Sequence, residues 1–185
     1  MAKVKGMNEM NVKKLTLSGI LISIGFILHQ FVPGIPFLGG MKMDFLLVMM
    51  FFCIFMMDSY REVLAVSLVA GILSAMTTTF PGGQVANIVD KIITGALVYM
   101  LYNALDGKLN NTVRLCILAF VGTIASGSIF LMTGLAISGV PLSFMDLFTA
   151  IVLPTAALNT VFTVFLEKII TRSGYRNYGR KQVEP

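Results

Sequence analysis

Charged residues are scarce in this chain of 185 residues: Asp, Glu, Lys and Arg together make up 12% of it, whereas 56% of the residues are apolar. An ordinary soluble domain carries about 25% charged residues, so this composition cannot cover a water-facing surface. The scarcity of charge therefore argues against a soluble enzyme, a nucleic-acid-binding protein or a disordered segment. It predicts a protein embedded in the lipid bilayer.

Residues and motifs that carry common enzyme chemistry are also missing. The chain has one histidine, so a two-histidine metal centre cannot form. It lacks the Gly-x-Ser-x-Gly motif of serine hydrolases and the Gly-x-x-x-x-Gly-Lys-Ser/Thr motif that binds ATP. The two cysteines, Cys53 and Cys116, lie inside apolar runs, where a thiol behaves as a small apolar group. We therefore predict no enzymatic activity, no metal and no cofactor.

Apolar runs occupy nearly the whole chain and are separated by Pro, Gly and Asp-Gly breakers. A helix needs about 20 residues to cross the hydrocarbon core, and each run ends where turn-forming residues begin. The pattern predicts an all-α, polytopic membrane protein, with one domain (residues 1–185) of six transmembrane helices. Their approximate bounds are 12–32, 43–57, 62–77, 85–105, 113–137 and 147–171.

The 14 basic residues are distributed unevenly between the two sides of the predicted bundle. Cytoplasmic loops carry an excess of Lys and Arg, and a cytoplasmic N-terminus places only Lys42 and Lys91 in the outer half. This distribution predicts a multi-pass cell-membrane protein with both termini in the cytoplasm. The inner residues are then Lys3, Lys5, Lys13, Lys14, Arg61, Lys108, Arg114, Lys168, Arg172, Arg176, Arg180 and Lys181.

Polar residues of the predicted spans cluster toward the outer side. Charges inside a membrane are costly unless they are paired or hydrated, so they are candidates for function. Adjacent Asp90 and Lys91 point about 100° apart, so we expect each to find a partner on another helix or on a ligand. The candidate substrate-binding residues in this cluster are His29, Lys42, Asp44, Gln84, Asn87, Asp90, Lys91 and Asn159.

Glycine pairs precede the second and fourth predicted helices. They are Gly39-Gly40 and Gly82-Gly83. Glycine lets the backbone approach a ligand closely, and a helix N-terminus favours a carboxylate. We predict a site for a zwitterionic amino acid, with Lys42 or Lys91 for its carboxylate, Asp44 or Asp90 for its ammonium group and Phe80 for a flat side chain.

The same residues also have structural interpretations. The ionic residues could pair among themselves and only hold the second helix against the fourth. His29 could be a helix-end residue without a ligand, and Asn159 could make an interhelical hydrogen bond. Asp146 lies just before the last predicted helix and is expected to cap it.

Small residues recur four apart on three predicted helices, where they allow close approach in lipid. We expect internal packing for Ser67, Gly71 and Ala75 on the third helix and for Gly122 and Ser126 on the fifth, which also carries Thr123 and Gly127. The pair Gly19 and Ser23 on the first helix could instead dock a partner membrane protein.

Two segments carry a family resemblance. Gly39-Gly40-Met41-Lys42-Met43-Asp44 and Thr77-Thr78-Thr79-Phe80-Pro81-Gly82-Gly83-Gln84, with Asn87 and Asp90-Lys91, resemble the TrpP family of bacterial tryptophan transporters. The resemblance implies a protein of the bacterial cell membrane that takes up tryptophan or a related aromatic compound.

The TrpP family is similar in size and span number to the S components of energy-coupling-factor (ECF) transporters. By that similarity, a separate transmembrane coupling subunit and two ATPases would drive release of the captured solute. S components often dock the coupling subunit through an Ala-x-x-x-Ala face on the first helix, where this chain carries Gly19 and Ser23.

Other functions fit the same residues. The chain could be an S component for a vitamin or a solitary carrier coupled to protons through Asp44 or Asp90. It could also be a non-transporting scaffold or sensor in which the ionic cluster only joins helices. A membrane enzyme is the least favoured alternative.

Overall fold

The structure is a computed structural model that describes residues 12–32 and 43–172. Every regular element in these ranges is helical, which confirms the predicted all-α class. The helices are α1 (Val12–Phe31), α2 (Phe45–Met56), α3 (Tyr60–Thr77), α4 (Gly83–Ala104), α5 (Asn111–Ser138), α6 (Phe144–Leu147) and α7 (Leu153–Arg172), and a π-helical segment (Phe148–Val152) joins α6 to α7.

Five helical stretches of the described residues are long and apolar enough to cross a membrane: α1, α3, α4, α5 and the continuous span of α6, the π-helical segment and α7. The exception is α2. Its 12 residues extend about 18 Å at 1.5 Å per residue, which is less than the roughly 30 Å of the hydrocarbon core. The chain is therefore a polytopic membrane protein, but α2 is too short to cross the core by itself.

The short helix α2 forms the centre of the bundle, and its residues from Phe45 to Phe55 are all buried. Glycines on the neighbouring helices make room for its large side chains. A Cβ atom at Gly25 of α1 would lie 2.8 Å from Met49 Cγ, and one at Gly122 of α5 would lie 2.8 Å from Phe51 Cζ. Both distances are too short for carbon atoms in contact, so only glycine fits these positions without a shift of the neighbouring side chain.

Small residues also allow α3 and α4 to pack closely. A Cβ atom at Gly71 would lie 3.1 Å from the Cα of Ile88, and one at Gly95 would lie 1.9 Å from Ser67 Oγ. The expected internal packing is therefore observed on α3. Gly19 of α1 differs, because no atom lies within 4 Å of a Cβ built there, and both Gly19 and Ser23 are exposed.

One end of the bundle, which we call the ionic end, holds a set of ion pairs and hydrogen bonds. Lys14 pairs with Asp58, and Arg114 pairs with Asp106. The Arg114 guanidinium also lies 4.2 Å above the ring of Tyr102. Aromatic stacking and ion pairing both suit a guanidinium, so these contacts hold the start of α5 against the end of α4.

The last span departs from regular α-helix before Pro154. Leu153 N donates to Phe148 O across the π-helical segment. Proline lacks an N–H group and its ring crowds the carbonyl four residues earlier, which accounts for a wider turn at this point. The span begins at Phe144, three residues before the predicted start at 147. Its N-cap is Ser143, which accepts a hydrogen bond from Asp146 N, so the expected capping role of Asp146 was wrong.

Candidate functional site

A cavity of about 250 Å³ lies in the half of the bundle opposite the ionic end. This volume is slightly below the roughly 300 to 1,000 Å³ of common ligand pockets, so the cavity suits one small molecule. Residues of α1, α2, α3, α4, α5 and the last span line it. The ionisable residues on its wall are His29, Asp44, Asp90 and Lys91.

Asp90 and Lys91 form a buried ion pair on α4, with 2.6 Å between Lys91 Nζ and Asp90 Oδ2. Hydroxyl groups complete the environment of the carboxylate. Ser126 Oγ donates to Asp90 Oδ2 at 2.8 Å and Thr94 Oγ1 donates to Asp90 Oδ1 at 2.9 Å. Because the paired groups are both buried and hydrogen-bonded, the charges are tolerated at this depth.

The expectation that Asp90 and Lys91 would not pair with each other was wrong. Their Cα–Cβ bonds do diverge, as neighbours on a helix must. However, the lysine side chain has a flexible four-carbon stem, and its ammonium group bends back to the adjacent carboxylate. Lys91 Nζ also lies 3.5 Å from Asp44 Oδ2, so one cation joins α4 to the start of α2.

Asp44 is the N-cap of α2, and its Oδ1 accepts a hydrogen bond from Leu47 N at 2.9 Å. This interaction satisfies a backbone N–H group that has no partner within the helix. Lys91 lies eight residues after Gly83, the start of α4, or about 12 Å along that helix. Since Lys91 contacts Asp44, α2 begins well inside the bundle and its N-terminus faces the cavity.

Asn159 of α7 fixes the position of Asp44. Its Oδ1 accepts from Asp44 N at 2.9 Å, and its Nδ2 donates to Thr123 Oγ1 at 3.2 Å. Its side chain is fully buried and does not line the cavity. Asn159 thus makes the interhelical hydrogen bonds that the structural interpretation expected and lies behind the cavity wall.

The glycine pair before α4 does not line the cavity, although it was predicted to approach the ligand. Gly82 has a φ of +71°, a conformation that favours glycine, and it packs against Gly134 and Ile137 of α5. Asn87 lines the cavity and donates to Gly83 O at 2.9 Å. Three predicted residues, Gly82, Gly83 and Gln84, are not brought to the cavity wall, and Gln84 is exposed.

Aromatic and aliphatic side chains form the rest of the wall. Phe80 lines the cavity as predicted and meets Phe130 of α5 edge to face, with 5.4 Å between ring centroids. A flat ring in the cavity would find in these two side chains the offset or edge-to-face partners that aromatic rings prefer. The other apolar residues on the wall are Leu47, Leu131, Ile151 and Val152.

Sequence reasoning missed several polar residues of the cavity. Thr123 and Ser126 were assigned to helix packing, and Ser74 and Thr155 were not singled out, yet all four line the wall. The available signal was the presence of hydroxyl groups in long apolar helices. Three predicted residues, Gly39, Gly40 and Lys42, lie outside the described residues. Within 12–32 and 43–172, no group of three residues is arranged to hold a metal ion.

Together the apolar spans and the cavity inside the bundle, with its ion pair and aromatic wall, define a polytopic membrane protein with an internal cavity of small-molecule size. The sequence model of the family described as "Tryptophan transporter TrpP" matches residues 11–174. The chain belongs to this family.

Curated relatives agree with the family match. The chain is 42% identical to a "Probable tryptophan transport protein" of Bacillus subtilis, over 87% of this chain and 92% of that relative. It is 40% identical to proteins of the same description from Clostridium acetobutylicum (89% of this chain and 95% of the relative) and Clostridium perfringens (88% and 93%). No solved structure gives a significant match.

Proposed function

We propose that this protein captures tryptophan, or a closely related aromatic compound, as the first step of its uptake. The observation that carries the proposal is that an ionic cluster and an aromatic wall share one cavity in a member of a tryptophan transporter family. The cavity offers charge for the amino acid backbone and Phe80 with Phe130 for the indole ring. We retain Gly39, Gly40 and Lys42 as proposed contacts.

We propose that the ionic end faces the cytoplasm and the cavity faces the outside of a bacterial cell. Cytoplasmic loops carry an excess of Lys and Arg, which supports this orientation. Four such residues lie toward the ionic end of the bundle: Lys14, Arg61, Lys108 and Arg114. Both termini are then cytoplasmic.

Tryptophan binding can be measured directly because the chain contains no tryptophan of its own. With excitation at wavelengths that tyrosine does not absorb, the ligand is the only source of indole emission. We expect a saturable shift of that emission when purified protein is titrated with tryptophan, because the indole moves from water to an apolar wall. Competition with the other amino acids and with common vitamins identifies the ligand class.

Protein-free detergent micelles are the control for nonspecific partition of indole. A signal that does not saturate, from protein shown to be helical by circular dichroism, would contradict the proposal. Displacement by a vitamin at much lower concentration than tryptophan would favour the vitamin-binding alternative.

We further propose that the chain is not an enzyme and that ECF coupling and ATPase subunits energise release. The sequence has no ATP-binding motif of its own, and Gly19 and Ser23 present a small-residue face on the outside of α1. In cells, we expect uptake of labelled tryptophan to require these subunits. We also expect Gly19→Leu to abolish uptake while binding by the purified protein persists.

The matched control is Ala157→Leu, which places the same leucine side chain at an exposed position on α7. Uptake that survives loss of every ATPase subunit but stops when the proton gradient collapses would overturn the ECF proposal. That result would identify a solitary proton-coupled carrier.

A further inference from the structure

The carboxylate of Asp90 is enclosed by its own hydrogen-bond partners. Its Oδ1 accepts from Thr94, and its Oδ2 accepts from Lys91 and Ser126, at distances between 2.6 and 2.9 Å. Its side chain is 0% exposed. An ammonium group entering the cavity would have to break these bonds before it reached Asp90.

The ammonium group of Lys91 is occupied in the same way. It has three hydrogens and three acceptors: Asp90 Oδ2 at 2.6 Å, Ser126 Oγ at 3.3 Å and Asp44 Oδ2 at 3.5 Å. Its side chain is 3% exposed. A ligand carboxylate would therefore displace a buried partner to bind Lys91.

Asp44 is the member of the cluster that can still accept a ligand. Its Oδ1 caps α2 and lies 3.6 Å from His29 Nδ1, whereas its Oδ2 has one polar contact among the described residues, at 3.5 Å to Lys91. Its side chain is 25% exposed and lines the cavity. An ionised carboxylate has about four lone-pair sites, so Oδ2 retains capacity for a strong donor.

The net charge of the three residues also favours an ammonium group beside Asp44. Asp44, Asp90 and Lys91 together carry one net negative charge. A ligand ammonium group beside Asp44 brings the sum to zero. A ligand carboxylate in the same place would put three carboxylates around one lysine, which repel one another.

We propose that Asp44 binds the ammonium group of the ligand and is the residue that selects for an amine. Lys91 then organises the site and does not bind the ligand carboxylate. It follows that the cavity accepts an aromatic amine that lacks a carboxylate and rejects an aromatic acid that lacks an amine. This inference rests on the part of the proposed function that places an aromatic ligand in the cavity. It does not require that the ligand be tryptophan.

Two indole compounds test the inference on the unaltered protein. Tryptamine has the amine without the carboxylate, and indole-3-propionate has the carboxylate without the amine, and both are followed by their own indole emission. We expect tryptamine to bind within about tenfold of tryptophan. We expect indole-3-propionate to bind about 10- to 100-fold more weakly, which is the ratio expected for loss of a charged hydrogen bond.

The variant Asp44→Asn tests the residue. Asparagine caps a helix as well as aspartate does and has nearly the same shape, so α2 is expected to keep its start. We expect tryptophan and tryptamine each to bind about 10- to 100-fold more weakly, with the same weak binding of indole-3-propionate. The control is Asp146→Asn, which removes the same charge from an exposed position on α6 and is expected to leave binding unchanged.

The outcomes separate this inference from the proposed function. If the protein binds tryptophan and Asp44→Asn binds it equally well, or if indole-3-propionate binds as tightly as tryptamine, the inference is wrong and the proposed function stands. If tryptophan does not bind but tryptamine does, and Asp44→Asn abolishes that binding, the proposed function fails and the inference stands. A variant with a much lower unfolding temperature is replaced by Asp44→Ser, which also caps a helix.

Discussion

The Lys91→Met variant is expected to unfold at a far lower temperature than the parent protein and to lose saturable tryptophan binding. Methionine preserves an apolar stem, but Asp90 then keeps a buried negative charge with Ser126 and Thr94 as its remaining donors in the part of the chain that the structure describes. Removing one partner of a buried ion pair costs about 3–5 kcal/mol. Thermal unfolding in detergent, followed by circular dichroism, measures the loss.

The double variant Asp90→Asn/Lys91→Met is the control for that explanation. It removes both charges of the pair, and neutral replacement of a buried ion pair is often tolerated. We expect most of the stability to return, together with measurable tryptophan binding, because Asp44 keeps its charge. A double variant as unstable as Lys91→Met would show that the unpaired carboxylate is not the cause.

Replacing Asn159 by leucine is the second change with a large expected effect. Leucine has a similar size, but it leaves Asp44 N without its acceptor and Thr123 Oγ1 without its donor. Each buried polar group without a partner costs about 1–3 kcal/mol. We expect a lower unfolding temperature and weaker tryptophan binding, because the start of α2 is no longer held in place.

The matched control is Asn103→Leu, the same substitution near the ionic end of α4. It is expected to leave the affinity for tryptophan unchanged, since Asn103 lies about 18 Å beyond Lys91 along α4 and, unlike Asn159, is not bonded to Asp44. Equal affinities and equal unfolding temperatures for Asn159→Leu and the parent protein would contradict the role assigned to Asn159.

Hydropathy alone was sufficient to locate the helices, because a span in lipid must be apolar over most of its length. It could not reveal that α2 is enclosed by the other helices, since an apolar run looks the same whether lipid or protein surrounds it. Nor did it reveal the π-helical segment, although Pro154 was the available signal.

The candidate site was predictable in its charged residues and less so in its geometry. Asp44, Asp90 and Lys91 stand out because charge is rare in a membrane span. Residue spacing does not determine side-chain torsions, and these torsions decide which charged groups pair. The wrong expectation for Asp90 and Lys91 has this cause. On α5, Gly122 packs against Phe51 while Ser126, four residues later, faces the cavity, so one small-residue pattern serves two purposes.

The position of α2 makes the two ways out of the cavity differ in their free-energy cost: one leads back to the cavity side, and the other leads to the ionic end. Asp44 is reached without moving this helix, since a quarter of its side chain is exposed. A direct path from Asp44 to the ionic end, by contrast, requires α2 to leave its packing. Exposing its apolar surface to water would cost about 25 cal/mol per Å². Binding and escape on the cavity side therefore leave the packing of α2 intact, whereas a direct passage to the ionic end disturbs it. The bundle thus holds its solute at a dead end for as long as α2 stays in place.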